Sequence, residues 1–229
     1  NYSKHRFTSS DYLAVWGKEH KANYINNGFD ATKVKVVGHP VYSSMSYPDN
    51  LRHDLSNILV LSRAPYGGQK LDKIILRDPS GYIVYLNLIE HELKKYGVQS
   101  VRLRLHPGEP TTAYERNINM EFYKLDCGPL TPSLNQSSLV IGPPSTVFLD
   151  SLCHGVNYII FEPLNKLGKA LDNMVPHRPA DNSDPDIPVA QNSQDLGQLI
   201  TAGSNIDHAK VINKYIKRPF DISFIADIV

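Results

Sequence analysis

Short apolar runs alternate along this chain with longer segments whose apolar residues recur every three or four positions, the two periods that mark strands and helices. Asp11-Tyr12-Leu13-Ala14-Val15-Trp16 reads as a short strand, and residues 18–27 as a helix stopped by Gly28 at its C′ position. Lys33-Val34-Lys35-Val36-Val37 alternates and ends sharply at Gly38-His39-Pro40. From Asn57 onward strand and helix patterns follow one another. Ile58-Leu59-Val60-Leu61 is a continuous apolar run, the signature of a parallel strand buried on both faces. Ser80 opens a helix reaching about Tyr96, with Ile83, Leu86, Ile89 or Glu90, and Leu93 on one side and Gly97 as its stop. Val101-Arg102-Leu103-Arg104-Leu105 is the next strand, residues 111–117 a short helix, 120–125 a strand and 132–136 a helical turn. Leu139-Val140-Ile141 then runs into Gly142-Pro143-Pro144, and Ser145-Thr146 opens a helix that Gly155 closes before the last strand, Asn157-Tyr158-Ile159-Ile160-Phe161. Residues 178–194, rich in Pro and Asp, read as a mobile surface loop, and helices over 194–202 and 207–216 close the chain.

About five strands with helices between them predict an α/β fold, a Rossmann-like doubly wound parallel sheet with right-handed crossovers. The polar, turn-rich segment 41–53 reads as a linker. Composition then narrows the partners. With 24 Lys plus Arg against 23 Asp plus Glu, the net charge of +1 gives no global reason to expect nucleic acid or an anionic membrane. Anion binding must be local. Cys127 and Cys153 lack the spacing of a zinc site or a disulfide framework, so no metal is expected and a reducing, cytoplasmic setting fits. No apolar run approaches the ~20 residues that span a bilayer. The chain opens on Asn1 without an initiator Met, which predicts a fragment of a longer protein or, as the second choice, a processed chain.

Four predicted strand ends carry polar chemistry: Ser62-Arg63, Arg104 with His106-Pro107-Gly108-Glu109, Gly142 to Ser145-Thr146, and Glu162-Pro163. Parallel strands bring such tips to one edge, so a guanidinium, an imidazole, two hydroxyls and a helix start converge on one crevice, a phosphate and nucleoside pocket. Asp150 stands one turn beyond Thr146, where it would accept hydrogen bonds from ribose hydroxyls or simply face solvent. Glu90-His91-Glu92 has metal-site residue types at the wrong spacing and reads as a solvated face. GxxxxGK[ST], GxGxxG, HExxH and GxSxG are all missing, which removes the P-loop, dinucleotide, zinc-protease and serine-hydrolase readings.

With these residues in order, the chain resembles the nucleotide-sugar-binding half of GT-B fold glycosyltransferases, in particular the bacterial surface-polysaccharide enzymes that include sialyltransferases and polysialyltransferases. His106-Pro107 is similar to the His-Pro motif of that group and Ser145-Thr146 to its Ser-Ser/Thr motif. The resemblance implies that both contact the nucleotide of a CMP-sugar, that Asp150 holds the donor ribose, and that Val36-Val37-Gly38-His39-Pro40 is the strand before the interdomain crossing. It covers roughly residues 11–162. The paired acidic-Gly motif carrying the catalytic acid/base of those sialyltransferases has no counterpart, Asn26-Asn27-Gly28 not being acidic, so no catalytic residue is assigned.

The resulting expectation is residues 1–50 as the tail of an N-terminal domain with linker, 51–205 as the nucleotide-sugar domain and 206–229 as C-terminal helices. The function expected is a cytoplasmic glycosyltransferase without cofactor, CMP- or UDP-linked donor and glycan or glycolipid acceptor, working for capsule or lipopolysaccharide, with any attachment to the inner membrane face residing outside the chain. Donor contacts are assigned to His106, Pro107, Ser145, Thr146, Gly142, Arg63, Arg104 and Ser62, and ribose to Asp150. The alternatives are a CDP-glycerol-type polyol-phosphate transferase or sugar-nucleotide epimerase of the same fold, and, in another class, a non-catalytic nucleotide-binding or assembly module.

Overall fold

The computed structural model describes residues 11–63, 69–71, 74–76, 80–107, 109–171, 181–203 and 206–223. In chain order the elements are β1 (Leu13–Val15), α1 (Lys18–Asn26), β2 (Val34–Val36), β3 (Ile58–Leu61), β4 (Gln69–Leu71), β5 (Ile74–Leu76), α2 (Ser80–Lys95), β6 (Val101–Arg104), α3 (Thr111–Glu115), β7 (Tyr123–Leu125), α4 (Leu130–Gln136), β8 (Leu139–Gly142), α5 (Val147–Cys153), β9 (Tyr158–Phe161), β10 (Val189–Ala190), α6 (Ser193–Ala202) and α7 (His208–Tyr215). They form two units, residues 48–206 and residues 1–47 with 207–229.

In the larger unit every residue of β3, β8 and β9 is buried, as continuous apolar runs require when helices cover both faces of a sheet. These strands form the middle of a six-stranded sheet of order β10-β9-β8-β3-β6-β7, parallel throughout. The Rossmann-like α/β architecture expected from the sequence is therefore present. Helix α2 buries Tyr82, Tyr85, Leu86, Ile89 and Leu93 against it, and α6 adds Leu196 and Ile200. Each such side chain contributes about 1.5–3 kcal/mol of burial.

Two expectations are overturned here. The segment 178–194 is not a surface loop throughout: of its described residues Asn182, Ser183 and Pro185 are exposed, but Asp184 and Ile187 are buried, and Val189–Ala190 pairs with Ile160 and Phe161 as a sixth strand. Two strand residues among prolines and aspartates leave too short an apolar pattern to read. Glu92 is not solvated either, being buried where α2 meets α6 and paired with Lys95 at 2.6 Å. Gly197 permits that approach, because a Cβ there would stand 2.4 Å from Glu92 Oε1. Tyr66-Gly67-Gly68-Gln69 also reads in the sequence as a loop after β3; its first three residues lie outside the described residues, and Gln69 begins β4.

In the smaller unit β1 and β2 are parallel partners joined through α1, which carries no buried residue. Helix α7 supplies the apolar face instead, with Val211, Ile212 and Tyr215 buried. The chain beyond α7 is held by Lys217 N–H donating to Trp16 O at 2.7 Å and Asp221 N–H donating to Val37 O at 2.7 Å. His20 stands beside Trp16 and Tyr215, with ring centroids 5.4 Å and 5.7 Å away. Its buried Nδ1 has no hydrogen-bond partner among the described residues. Burial pushes the imidazole below its ordinary value of 6.5, against the opposing pull of the Tyr215 backbone and Glu19. The folded state thus binds fewer protons at this group than the unfolded chain. His20 contributes its full stability above about pH 6.5 and loses it as pH falls through the lower folded value. Unfolding followed by the fluorescence of Trp16, the sole tryptophan, should show a midpoint falling below pH 6.5 and a smaller fall in His20→Phe. An identical pH dependence in both proteins would contradict this.

Candidate functional site

The strand order fixes where a site can form. From β3 the chain moves outward through β6 to β7, then returns past β3 and moves the opposite way through β8, β9 and β10. Connections leaving β3 and β8 in opposite directions open a crevice at their carboxyl ends, which is where open α/β sheets take ligands. With neighbouring strands about 4.8 Å apart, the tips of β6 and β8 stand about 10 Å apart across β3.

On the β8 side, Gly142 ends a fully buried strand beneath Tyr158. A Cβ on Gly142 would lie 2.2 Å from Tyr158 Oη and 3.1 Å from Leu61 Cδ1, so only glycine fits. The Tyr158 hydroxyl donates to Pro143 O at 2.6 Å and anchors the turn that follows. Beyond Pro144 the backbone turns into α5. Ser145 Oγ accepts the Val147 N–H at 3.0 Å, a local hydroxyl turn, while Ser145 O accepts the Phe148 N–H at 3.2 Å. Both Ser145 and Thr146 remain exposed. Asp150 is half-buried in the first turn of α5.

The tips of β3 and β9 behave differently from the sequence expectation. Arg63 is only 5% exposed and its Nη1 lies 2.5 Å from Oε1 of Glu162, itself 3% exposed. The ion pair joins the ends of two strands that have β8 between them. Tyr85 is buried in the charge environment of this pair, its hydroxyl has no hydrogen-bond partner among the described residues, and burial holds its ionisation well above the usual phenol range. Arg63 is therefore buried in an ion pair rather than displayed at the surface.

On the β6 side a second carboxylate organises the turn. Glu109 folds back so that its Oε2 accepts the Ser62 hydroxyl and, at 3.0 Å, the His106 N–H, while its Oε1 accepts the Tyr114 hydroxyl. Ser62 Oγ accepts the same His106 N–H at 2.8 Å. The carboxylate raises the Tyr114 phenol further beyond the effect of its burial. His106 and Pro107 are exposed above this network. Ser62 is thus buried inside the turn.

Arg104 points elsewhere. Its Nη1 donates to Asp126 Oδ1 at 3.2 Å and Gly128 O at 2.7 Å. Arg102, on the same strand face, donates to the other Asp126 oxygen at 2.9 Å and to Asn57 and Ser137. Both arginines serve the polar face of β6 beneath α4. Sequence reasoning named Glu109 and Glu162 as strand-end residues without a role. The signals were an acidic residue three positions after His106 and one directly after the apolar run of β9. Among the described residues no group of three or more His, Cys, Asp or Glu is placed to hold a metal ion, and no helix is long and apolar enough to cross a membrane.

No family model matches the chain, and no curated protein matches it. Solved structures do. The UDP-GlcNAc 2-epimerase of Methanocaldococcus jannaschii in complex with UDP-GlcNAc and UDP superposes with a TM-score of 0.58 at 15% identity, over 96% of this chain and 60% of that one. The UDP-GlcNAc 2-epimerase of Neisseria meningitidis bound to UDP-GlcNAc gives 0.52 at 14%, over 96% and 60%. TarM gives 0.51 at 12%, over 95% and 42%. The chain spans at most 60% of the length of these structures. Their likeness shows the fold class alone: a Rossmann-like α/β arrangement that this chain shares with these solved structures.

Proposed function

We propose that the 48–206 unit binds the nucleotide of an activated sugar at the β3/β8 reversal, and that the protein is a GT-B nucleotide-sugar enzyme passing the sugar to a glycan or glycolipid acceptor. The observation that carries this reading is the reversal itself, flanked by exposed His106 on one side and exposed Ser145 and Thr146 on the other. In this reading the two hydroxyls and the imidazole hydrogen-bond the donor phosphates, and Asp150 accepts from the ribose. Arg63, held by Glu162, contributes a fixed dipole beneath the phosphates. As the sugar departs, negative charge grows on the leaving phosphate, and donors already in position stabilise it without reorganisation. Arg104 and Ser62 support the neighbouring turns instead. No catalytic base is assigned to this chain.

The His-Pro and Ser-Thr pairs favour a CMP-linked donor of the sialic acid type; the neighbours named for UDP-GlcNAc favour a UDP-linked one, and with it sugar-nucleotide epimerisation as the second reading. Titration calorimetry with UDP, CMP and CDP-glycerol distinguishes them. At least one should bind, and Ser145→Ala/Thr146→Val should weaken it about tenfold. A folded protein that binds none of the three sinks the proposal.

A further inference from the structure

We infer that Glu109 is a positioning residue that presents His106 to the donor phosphates. The inference rests on the nucleotide-sugar reading of the β3/β8 crevice and extends it to a residue that need not touch the ligand. Three donors converge on this one carboxylate: the Ser62 hydroxyl from the end of β3, the His106 N–H from the end of β6 and the Tyr114 hydroxyl from α3. A fourth bond closes the loop, Glu109 N–H donating to His106 O at 2.9 Å. The turn carrying His106 is therefore clamped at both its N–H and its C=O by a single residue. That residue is tied in turn to a neighbouring strand and a helix.

The chemistry of the carboxylate limits its role. An ionised Glu accepts at roughly four lone-pair sites, and three are occupied by these donors. It is thus poorly placed to take a proton from an acceptor. Hydrogen bonds to a charged acceptor are about twice as strong as neutral ones, so the carboxylate holds the turn more firmly than an amide would. Glu109→Gln keeps the shape but puts an NH2 group against either Tyr114 O–H or the Ser62 and His106 donors. The clamp opens on one side. Tyr114, 1% exposed, is out of reach of any ligand, so Tyr114→Phe weakens the clamp without altering the crevice surface.

The test combines a binding cycle with a ligand-free readout on the full chain. Affinity for the tighter of UDP and CMP is measured for the parent, Glu109→Gln, Tyr114→Phe, His106→Ala and the Glu109→Gln/His106→Ala double variant. Ring proton resonances of His106 are recorded in the absence of nucleotide. Glu109→Gln should weaken binding about tenfold in the parent and less than about twofold once His106 is removed, because its effect passes through that side chain. Tyr114→Phe should weaken it about threefold. If Glu109→Gln does not fold, Tyr114→Phe is taken through the same cycle. Equal losses with and without His106 overturn the positioning role while leaving the nucleotide reading intact. If the parent binds neither nucleotide but the His106 ring resonances still move towards random-coil values in Glu109→Gln, the nucleotide reading fails and the clamp stands. Unchanged resonances overturn the clamp itself.

Discussion

Replacing Glu162 with alanine should destabilise the 48–206 unit by about 3–5 kcal/mol, because it removes the carboxylate from a guanidinium that cannot reach water. Arg63 and Glu162 are 5% and 3% exposed, so solvent screens neither charge in the native structure. Glu162→Gln keeps a hydrogen-bond acceptor and should lose less, about 1–3 kcal/mol. The double replacement Arg63→Met/Glu162→Leu removes both charges and should be far milder than Glu162→Ala alone. Urea unfolding reads all three, as a shift in midpoint at constant slope. A Glu162→Ala loss within about 0.5 kcal/mol, the range of ordinary surface substitutions, would show that the pair does not organise this corner.

Gly142→Ala is the second large effect. The added methyl would meet Tyr158 Oη at 2.2 Å and Cζ at 2.8 Å, distances that force the ring away from Pro143. Overpacking together with a lost buried hydrogen bond predicts a cost of about 2–4 kcal/mol. In a Tyr158→Phe background the hydroxyl is gone, and the same substitution should cost clearly less. That coupling is the signature of direct contact, since independent sites add. Additive losses would place the strain elsewhere. Because Pro143 leads directly into Ser145, Gly142→Ala should also weaken nucleotide binding in whatever fraction remains folded.

The contrast between these two positions shows what a sequence can carry. Gly142 stands out in the chain because an apolar run, a Gly-Pro-Pro turn and a hydroxyl pair are adjacent. Local patterns of that kind also disclosed β3, β6, β8, β9 and α2 to within a residue or two. The Arg63–Glu162 pair is different: its members are 99 positions apart and meet only because β9 settles two strands from β3. Strand order is a non-local choice that periodicity does not encode. For the same reason the sequence offered Arg104 no partner, and Asp126 comes beside it only through β7. Glu109 fell between these cases, close to His106 in sequence but meaningful only once Ser62 and Tyr114 arrive from β3 and α3. The sixth strand escaped notice because Val189–Ala190 is too short to show a period.

The central claim is that the β3/β8 reversal holds a nucleotide between His106 and the Ser145-Thr146 turn. Crystals of the protein grown with UDP or CMP test it most directly. The account predicts phosphate density within hydrogen-bond distance of Ser145 Oγ, with the His106 ring on its opposite side and the ribose towards Asp150. A nucleotide seated away from these strand tips, for example in the groove between α2 and α6 lined by Lys95 and Thr201, would contradict it.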